Sequence, residues 1–402
     1  MKRILFVDDE SKILDGLQRM LHADRKRWDM EFAVGGEAAL QACEKGSFDV
    51  VISDMRMPGM DGATLLGHIR DRYPSTARII LSGYSEVTLV ARSVHVAHRF
   101  LAKPCDASQL RSMIERVCTL QDVLCTPEIR AIIGTVGELP SLSTSYNALT
   151  QALGRPDTSI SQVADILEHD VAMSAKVLQL VNSAFFGLAQ TATSLQSAAS
   201  YLGMETIKNL VLVSEAFRVF VPDSRIPQSV FEALQQQAQR TAAIAVVLPL
   251  EPKMRDVTVL SALLQDVGRL VLASKMPDKF CSVLERAQER GCEPFQAEEE
   301  ILGTSHAEIG AYLLGLWGLP NLAVEAIAHH HHPDRIPHSG FDSSVALYVA
   351  ALLAYELEAH PADETGTELR EFDRTCLETL GLLPQFSEFR KLAVPAVNSA
   401  RG

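Results

Sequence analysis

The sequence has no CxxC pair. Its seven cysteines, at 43, 105, 118, 125, 281, 292 and 376, are odd in number and widely spread, so neither a disulfide framework nor a cysteine-based zinc site is expected, and the thiols read as reduced and structural. No apolar run approaches the roughly 18 residues of a membrane span. The opening MKRILFVDDE also places acids where a secretion signal needs an apolar core, and a cytoplasmic protein is expected. Long basic tracts are missing too. The best candidate, RKR at 25–27, is a single short patch in a chain of net charge −13, too little to grip a phosphate backbone, and it reads as a solvated helix end. No internal repeat is visible, and the only low-complexity run is the four histidines at 329–332.

What is present is enough for two to three domains with real cores: 402 residues, 47% hydrophobic and 22% charged. The charge is uneven. Residues 1–122 hold 17 basic and 17 acidic side chains, leaving 20 and 33 for the remainder, so all the excess acid lies in the second part.

Within 1–122, five short β-branched runs, ILFVDD, EFAV, VVISD, RIILS and RFLAK, are each followed by a helix-like stretch. That alternation predicts a five-stranded parallel, doubly wound α/β sheet of flavodoxin-like type, covered on both faces. In such sheets the chemistry lies at the carboxyl ends of the strands, and there stand Asp8, Asp9, Asp54, Ser82 and Lys103. Converging carboxylates repel one another unless a cation is present, and a hard oxygen set suits Mg²⁺. Taken singly, each piece has an ordinary structural explanation: a strand-end acid pair is often merely solvated, and Lys-Pro is a common turn.

In this order, with the loop MRMPGMDG (55–62) after Asp54 and Pro104 after Lys103, they resemble the receiver domain of bacterial two-component response regulators. The resemblance implies that Asp54 takes a phosphoryl group from the phosphohistidine of a sensor histidine kinase. It implies Asp9, Asp54 and the main-chain carbonyl of Arg56 as direct Mg²⁺ ligands and Asp8 as a ligand through water. Lys103 and Ser82 would assist the transfer, Ser82 and Phe100 would form the switch, and the Lys103–Pro104 bond would be cis.

Beyond about residue 122 the strand signal gives way to helical periods. SISQVADILEHD (159–170) opens with Ser159 as an N-cap and Gln162 three places on, a capping box. Further helices are expected at roughly 170–183, 194–202, 204–219, 229–248, 256–274, 278–290, 305–316, 320–331 and 343–358, with a surface loop at 361–368.

The stretches GELPSL (137–142), DVAMSAKVLQLVNSAFFG (170–187), SLQSAASYLGMETIKNLVL (194–212) and SHAEIGAYLLGLWGLP (305–320) resemble the HDOD domain, an all-α relative of the HD metal-dependent phosphohydrolases. Active HD hydrolases need a His-Asp pair and further histidines, because a metal that activates water takes several imidazole or carboxylate ligands at about 2 Å. Here Gln237 and Gln265 stand where two histidines would be, leaving Asp266 alone in LLQDVGRL (263–270); His306, His330 and His331 remain, but PDRIPHSG follows the histidine pair in place of a Gly-Tyr-Pro signature. Adjacent histidines on a helix point about 100° apart. The set therefore reads as a vestigial site, with no cofactor expected in this domain. Asp266 is expected to cap or to pair with Arg269 or a histidine, His329 and His332 to be exposed, and Trp317 to be packed in the bundle.

The expected division is a receiver domain over 1–122, a connecting helix over 123–140, an HDOD domain over 141–335 and a helical extension over 336–402. The expected function is a response regulator in which Mg²⁺-dependent phosphorylation of Asp54 controls a non-catalytic HDOD output through protein contacts. Its partners would be a sensor histidine kinase and a downstream signalling protein, a cyclic-dinucleotide enzyme among the candidates, with homodimers allowed and neither nucleic acid nor membrane bound directly. The competing expectation is a phosphorylation-switched HD-type phosphodiesterase acting on a cyclic dinucleotide.

Overall fold

The five apolar runs become β1 (Lys2–Asp8), β2 (Trp28–Val34), β3 (Val50–Asp54), β4 (Ala77–Gly83) and β5 (Arg99–Lys103). They form one parallel sheet of order β2-β1-β3-β4-β5. This computed structural model describes residues 1–83, 93, 95–123, 126–136, 148–149, 151–153, 155, 157–182, 192–201, 203, 225–338, 340–359 and 369–400. Strand order reverses between β1 and β3, which sets Asp8 and Asp54 side by side at the crevice such a reversal opens. The central strands are buried on both faces, covered by α1 (Ser11–Met20), α2 (Gly36–Lys45), α3 (Gly62–Arg72) and α4 (Ala107–Val123). The helix expected after β4 falls at 84–92, outside the described residues. The glycine of the Asp-Gly pair has a steric reason: a Cβ on Gly62 would lie 2.1 Å from the Asp54 carbonyl oxygen. Only glycine lets α3 begin so close to the end of β3.

The second part is helical: α5 (Pro127–Gly134), α6 (Ile160–Glu168), α7 (Val171–Val181), a stretch at 195–201, α8 (Gln228–Val247), α9 (Pro252–Leu264), α10 (Val267–Lys275), α11 (Pro277–Arg290), α12 (Pro294–Leu302), α13 (His306–Leu316), α14 (Asn321–Ala328), α15 (Ser343–Ala359), α16 (Glu371–Thr379) and α17 (Phe386–Ala400). The capping box forms, with Ser159 Oγ accepting from the Gln162 amide at 3.2 Å and Gln162 Oε1 from the Ser159 amide at 2.9 Å. Helix α15 packs against α8, α9 and α14, so the last helices share the bundle core.

Three expectations are corrected. The helix expected over 256–274 is two, broken at Gln265 and Asp266, where Asp266 (φ −94°, ψ 8°) leaves the helical region. The helix expected over 320–331 stops at Ala328. Pro252–Lys275 is long and apolar enough by composition to cross a membrane, contrary to the reading of the apolar runs, but 83% of its apolar window is buried inside the protein. The segments expected at 204–219 and 361–368 lie outside the described residues. So do GELPSL and most of NSAFFG.

The two parts touch through buried polar side chains. Arg99, at the start of β5, donates from Nε to the Leu316 carbonyl at 2.9 Å and from Nη2 to the Gly315 carbonyl at 2.6 Å. It thereby caps the C-terminal end of α13, where free carbonyls and the helix dipole favour a cation. Arg116 of α4 donates to the Leu319 carbonyl, and Gln179 of α7 to the carbonyls of Ala97 and His98. Trp317 is buried as expected, with Lys176 Nζ 4.2 Å from its ring centroid.

Candidate functional site

The first cluster sits on the carboxyl edge of the sheet. Lys103 Nζ donates to Asp8 Oδ2 at 2.8 Å and also pairs with Asp54 Oδ1. The other carboxylate oxygens are held by the main chain: Glu10 N donates to Asp8 Oδ1 and Arg56 N to Asp54 Oδ2, each at 2.9 Å. Asp8 and Asp54 are buried while Asp9 is exposed. Burial raises the Asp54 pKa, Lys103 opposes the shift and Asp8 adds to it. Burial works against the Lys103 charge, but its contacts with Asp54 and Asp8 outweigh it, and its pKa is raised. The cluster is therefore a carboxylate pair held together by one ammonium.

Ser82 and Phe100 are both fully buried on neighbouring strands, Ser82 opposite Ala102 and Phe100 opposite Ile80. The Lys103–Pro104 bond is cis, as expected. Three carboxylates and a peptide carbonyl at one strand edge are the hard oxygen donors Mg²⁺ prefers, and the residues present fit that ion. Of the cysteines, the six described ones are free, in line with the reduced state expected; Cys125 lies outside the described residues.

The second cluster surrounds a cavity of about 400 Å³ lined by Gln237, Gln265, Asp266, His306, His330 and His331 among others. Its geometry corrects the expectation for adjacent histidines. Because α14 ends at Ala328, His330 and His331 lie in a turn. Their ring centroids are 3.9 Å apart, and both rings reach His306. His329 and His332 are half-buried, not exposed. Asp266 behaves as expected: its Oδ1 lies 3.4 Å from His306 Nε2 and 4.0 Å from Arg269 Nη1.

Gln265 is buried with its amide nitrogen 3.4 Å from Thr241 Oγ1. Gln237 sits at the cavity wall, where its Oε1 accepts from Arg240 at 3.5 Å. The sequence reading missed Glu298 on α12, which is 0% exposed and accepts from both the amide and Nδ1 of His306 at 2.7 Å. Three successive glutamates in PFQAEEEIL gave no sign of which one turns inward. Burial pushes His330 down to about 4 and His331 well below the usual imidazole value. Burial thus disfavours the charged form of both rings.

Comparisons with known proteins match the two parts of the chain separately. The response regulator receiver domain family matches residues 4–115, and the HDOD domain family matches residues 139–333. An uncharacterized protein of Treponema pallidum (strain Nichols) is 28% identical over 214 residues, 52% of this chain and 40% of that protein. The response regulator protein FleR of Pseudomonas aeruginosa is 33% identical over 117 residues, 28% of this chain and 24% of its own length. The chain thus spans less than half of these curated relatives. The crystal structure of the signal receiver domain of an HD domain-containing protein from Pseudomonas fluorescens Pf-5 is 34% identical, covers 31% of this chain and 98% of that one, and has a TM-score of 0.29.

Proposed function

Because the chain belongs to the two-component response regulators, with a receiver domain followed by an HDOD domain, we propose that Asp54 is its phosphorylation site and that a sensor histidine kinase is the donor. The phosphorylated receiver then controls a non-catalytic helical output that acts through protein contacts in the cytoplasm, on a downstream signalling protein or a second copy of the chain. The division into 1–122, 123–140, 141–335 and 336–402 belongs to the same proposal. The observation that carries it is Lys103 Nζ lying between Asp8 and Asp54. One ammonium favours the ionised form of the nucleophile against its burial and stands where negative charge accumulates in phosphoryl transfer.

In the step itself an Asp54 carboxylate oxygen attacks the phosphorus of the phosphoimidazole. The new O–P bond forms as the P–N bond breaks, and the imidazole nitrogen keeps the electron pair and is protonated. Asp8, Asp9, Asp54 and the Arg56 carbonyl would hold Mg²⁺, which when bound offsets the charge of the phosphoryl oxygens. Lys103 pairs with one of those oxygens and the Ser82 hydroxyl turns to donate to another, while the Phe100 ring repacks into the space Ser82 leaves. The product carries up to about two negative charges at the end of β3, which shifts the population between two arrangements of the receiver and the helical domain. Supporting a non-catalytic output, Gln265 turns its amide toward Thr241.

Acetyl phosphate with Mg²⁺ should add one phosphoryl group to the protein and none to Asp54→Asn, read by intact mass. Beryllofluoride with Mg²⁺ should alter the sedimentation or protease pattern of the unsubstituted protein alone. Equal incorporation by the variant overturns the assignment of Asp54. Incorporation that changes nothing in the intact chain overturns the coupling.

A further inference from the structure

An imidazole donates from both of its nitrogens only when it is charged; the neutral ring has one donor and one acceptor. Both nitrogens of His338 face atoms that can only accept. Nδ1 meets Asp342 Oδ2 at 2.8 Å, and Nε2 meets the carbonyl oxygen of Pro333. We propose that His338 is a pH-operated clasp, which as an imidazolium ties the turn at 333–335 to the start of α15 and as a neutral ring releases it. This goes beyond the phosphorylation reading and does not depend on it.

Both ends of the clasp are fixed by other bonds. Asp342 directly precedes α15, and its other oxygen, Oδ1, accepts from the amides of Ser344 at 3.0 Å and Val345 at 3.1 Å. The carboxylate is thereby held as an N-cap. Pro333 is buried in a single 3₁₀ turn, and its carbonyl also accepts from the Ile336 amide at 3.2 Å. The neutral ring can keep only one of its two contacts, because at the other a lone pair then faces an acceptor. With the His338 side chain 11% exposed, water reaches little of the ring to replace the lost bond.

The surrounding charge favours the closed form. Burial works against the His338 charge, but the Pro333 carbonyl, Asp342 and, at longer range, Glu325 of α14 outweigh it, and its pKa is raised. Burial lowers the pKa of His329, with Arg335 and His338 adding to the shift. Asp334 lies on the same side of a cavity of about 550 Å³, whose walls include Ile336, His338 and Phe341 facing Leu380, Leu382 and Gln385. The facing segment, 379–385, brings no charged residue to the lining. Release of the clasp frees one wall of this cavity from α15.

The sign follows from linkage. A histidine whose folded pKa is raised contributes stability that is complete below its unfolded value of about 6.5 and is lost as pH rises through the folded value. The clasp is shut in mild acid and opens on the alkaline side.

In the intact protein the ring-proton resonance of His338, assigned by its absence from His338→Gln, should titrate above the usual imidazole value of about 6.5. In Asp342→Asn, which keeps an N-capping side chain, it should fall back toward that value. Between about pH 6 and pH 9, the exchange protection of the Ile336 and Asp342 amides, corrected for the intrinsic pH dependence of exchange, should fall about tenfold for each unit by which the His338 pKa is raised. In His338→Gln it should stay level. If that variant fails to fold by circular dichroism, Asp342→Asn carries the comparison. A His338 pKa at or below about 6.5, or a loss of protection as large in the variant as in the unsubstituted protein, overturns the proposal.

Discussion

At the scale of single residues, burial decides what a charge does. Glu356 of α15 is buried, with Arg390 Nε no closer than 3.9 Å. Burial raises its pKa to about 7, against the pull of Arg390 and with the help of Asp373. A carboxyl whose folded pKa is raised contributes stability that is complete below the unfolded value of about 4.5 and is lost as pH rises through the folded value near 7. Glu356→Gln should therefore gain on the unsubstituted protein as pH rises from 5 to 8, by about 1–2 kcal/mol once solvent screening is allowed for. Urea midpoints at both pH values check it, and a variant that loses ground to the unsubstituted protein between pH 5 and 8 would refute it. Glu298 differs in its partners. Two donors from His306 satisfy one of its oxygens at zero exposure, an arrangement made by residues eight positions apart across a loop.

At the scale of elements, the contact between α10 and α13 does most to shape the cavity. A Cβ on Gly268 would sit 2.1 Å from the His306 carbonyl oxygen and 2.9 Å from the Gly310 nitrogen. The glycine of LLQDVGRL therefore lets the two helix backbones meet and puts Asp266 beside His306. Gly268→Ala should push α13 away and cost about 1–3 kcal/mol as overpacking. In the same variant phosphoryl uptake by Asp54 should be unchanged. Calorimetry, with intact mass after acetyl phosphate, tests this, and an alanine variant of unaltered stability would contradict it. The break before α10 and the early end of α14 are likewise properties of packed elements. Apolar periodicity continues across the first stop, and no glycine or proline precedes Pro333 at the second, so local pattern alone predicted longer helices.

At the scale of the whole molecule, Arg99 ties the sheet to the bundle, a buried guanidinium whose pKa burial lowers to about 9. Arg99→Leu takes the Arg99 donor from the Leu316 carbonyl and leaves the Gly315 carbonyl only the Gly318 amide, and a buried carbonyl left unpaired costs about 1–3 kcal/mol. It should lower the urea midpoint and weaken docking of the two parts while acetyl phosphate still labels Asp54; unchanged stability would show that the interface does not depend on this contact. The sequence alone determined the five strands, their parallel order and the Asp8, Asp54 and Lys103 cluster. Continuous β-branched apolar runs are local signals, and in an open α/β sheet chemistry falls at strand ends whatever the rest of the chain does. It also determined the capping box at Ser159, whose two hydrogen bonds span only three residues. Tertiary structure alone decided that His330 and His331 leave the helix and turn inward, that Glu298 is the glutamate behind His306, and that Arg99 reaches the end of α13. Each of these joins residues on different elements, and only packing selects such a pairing among the alternatives that local patterning leaves equal.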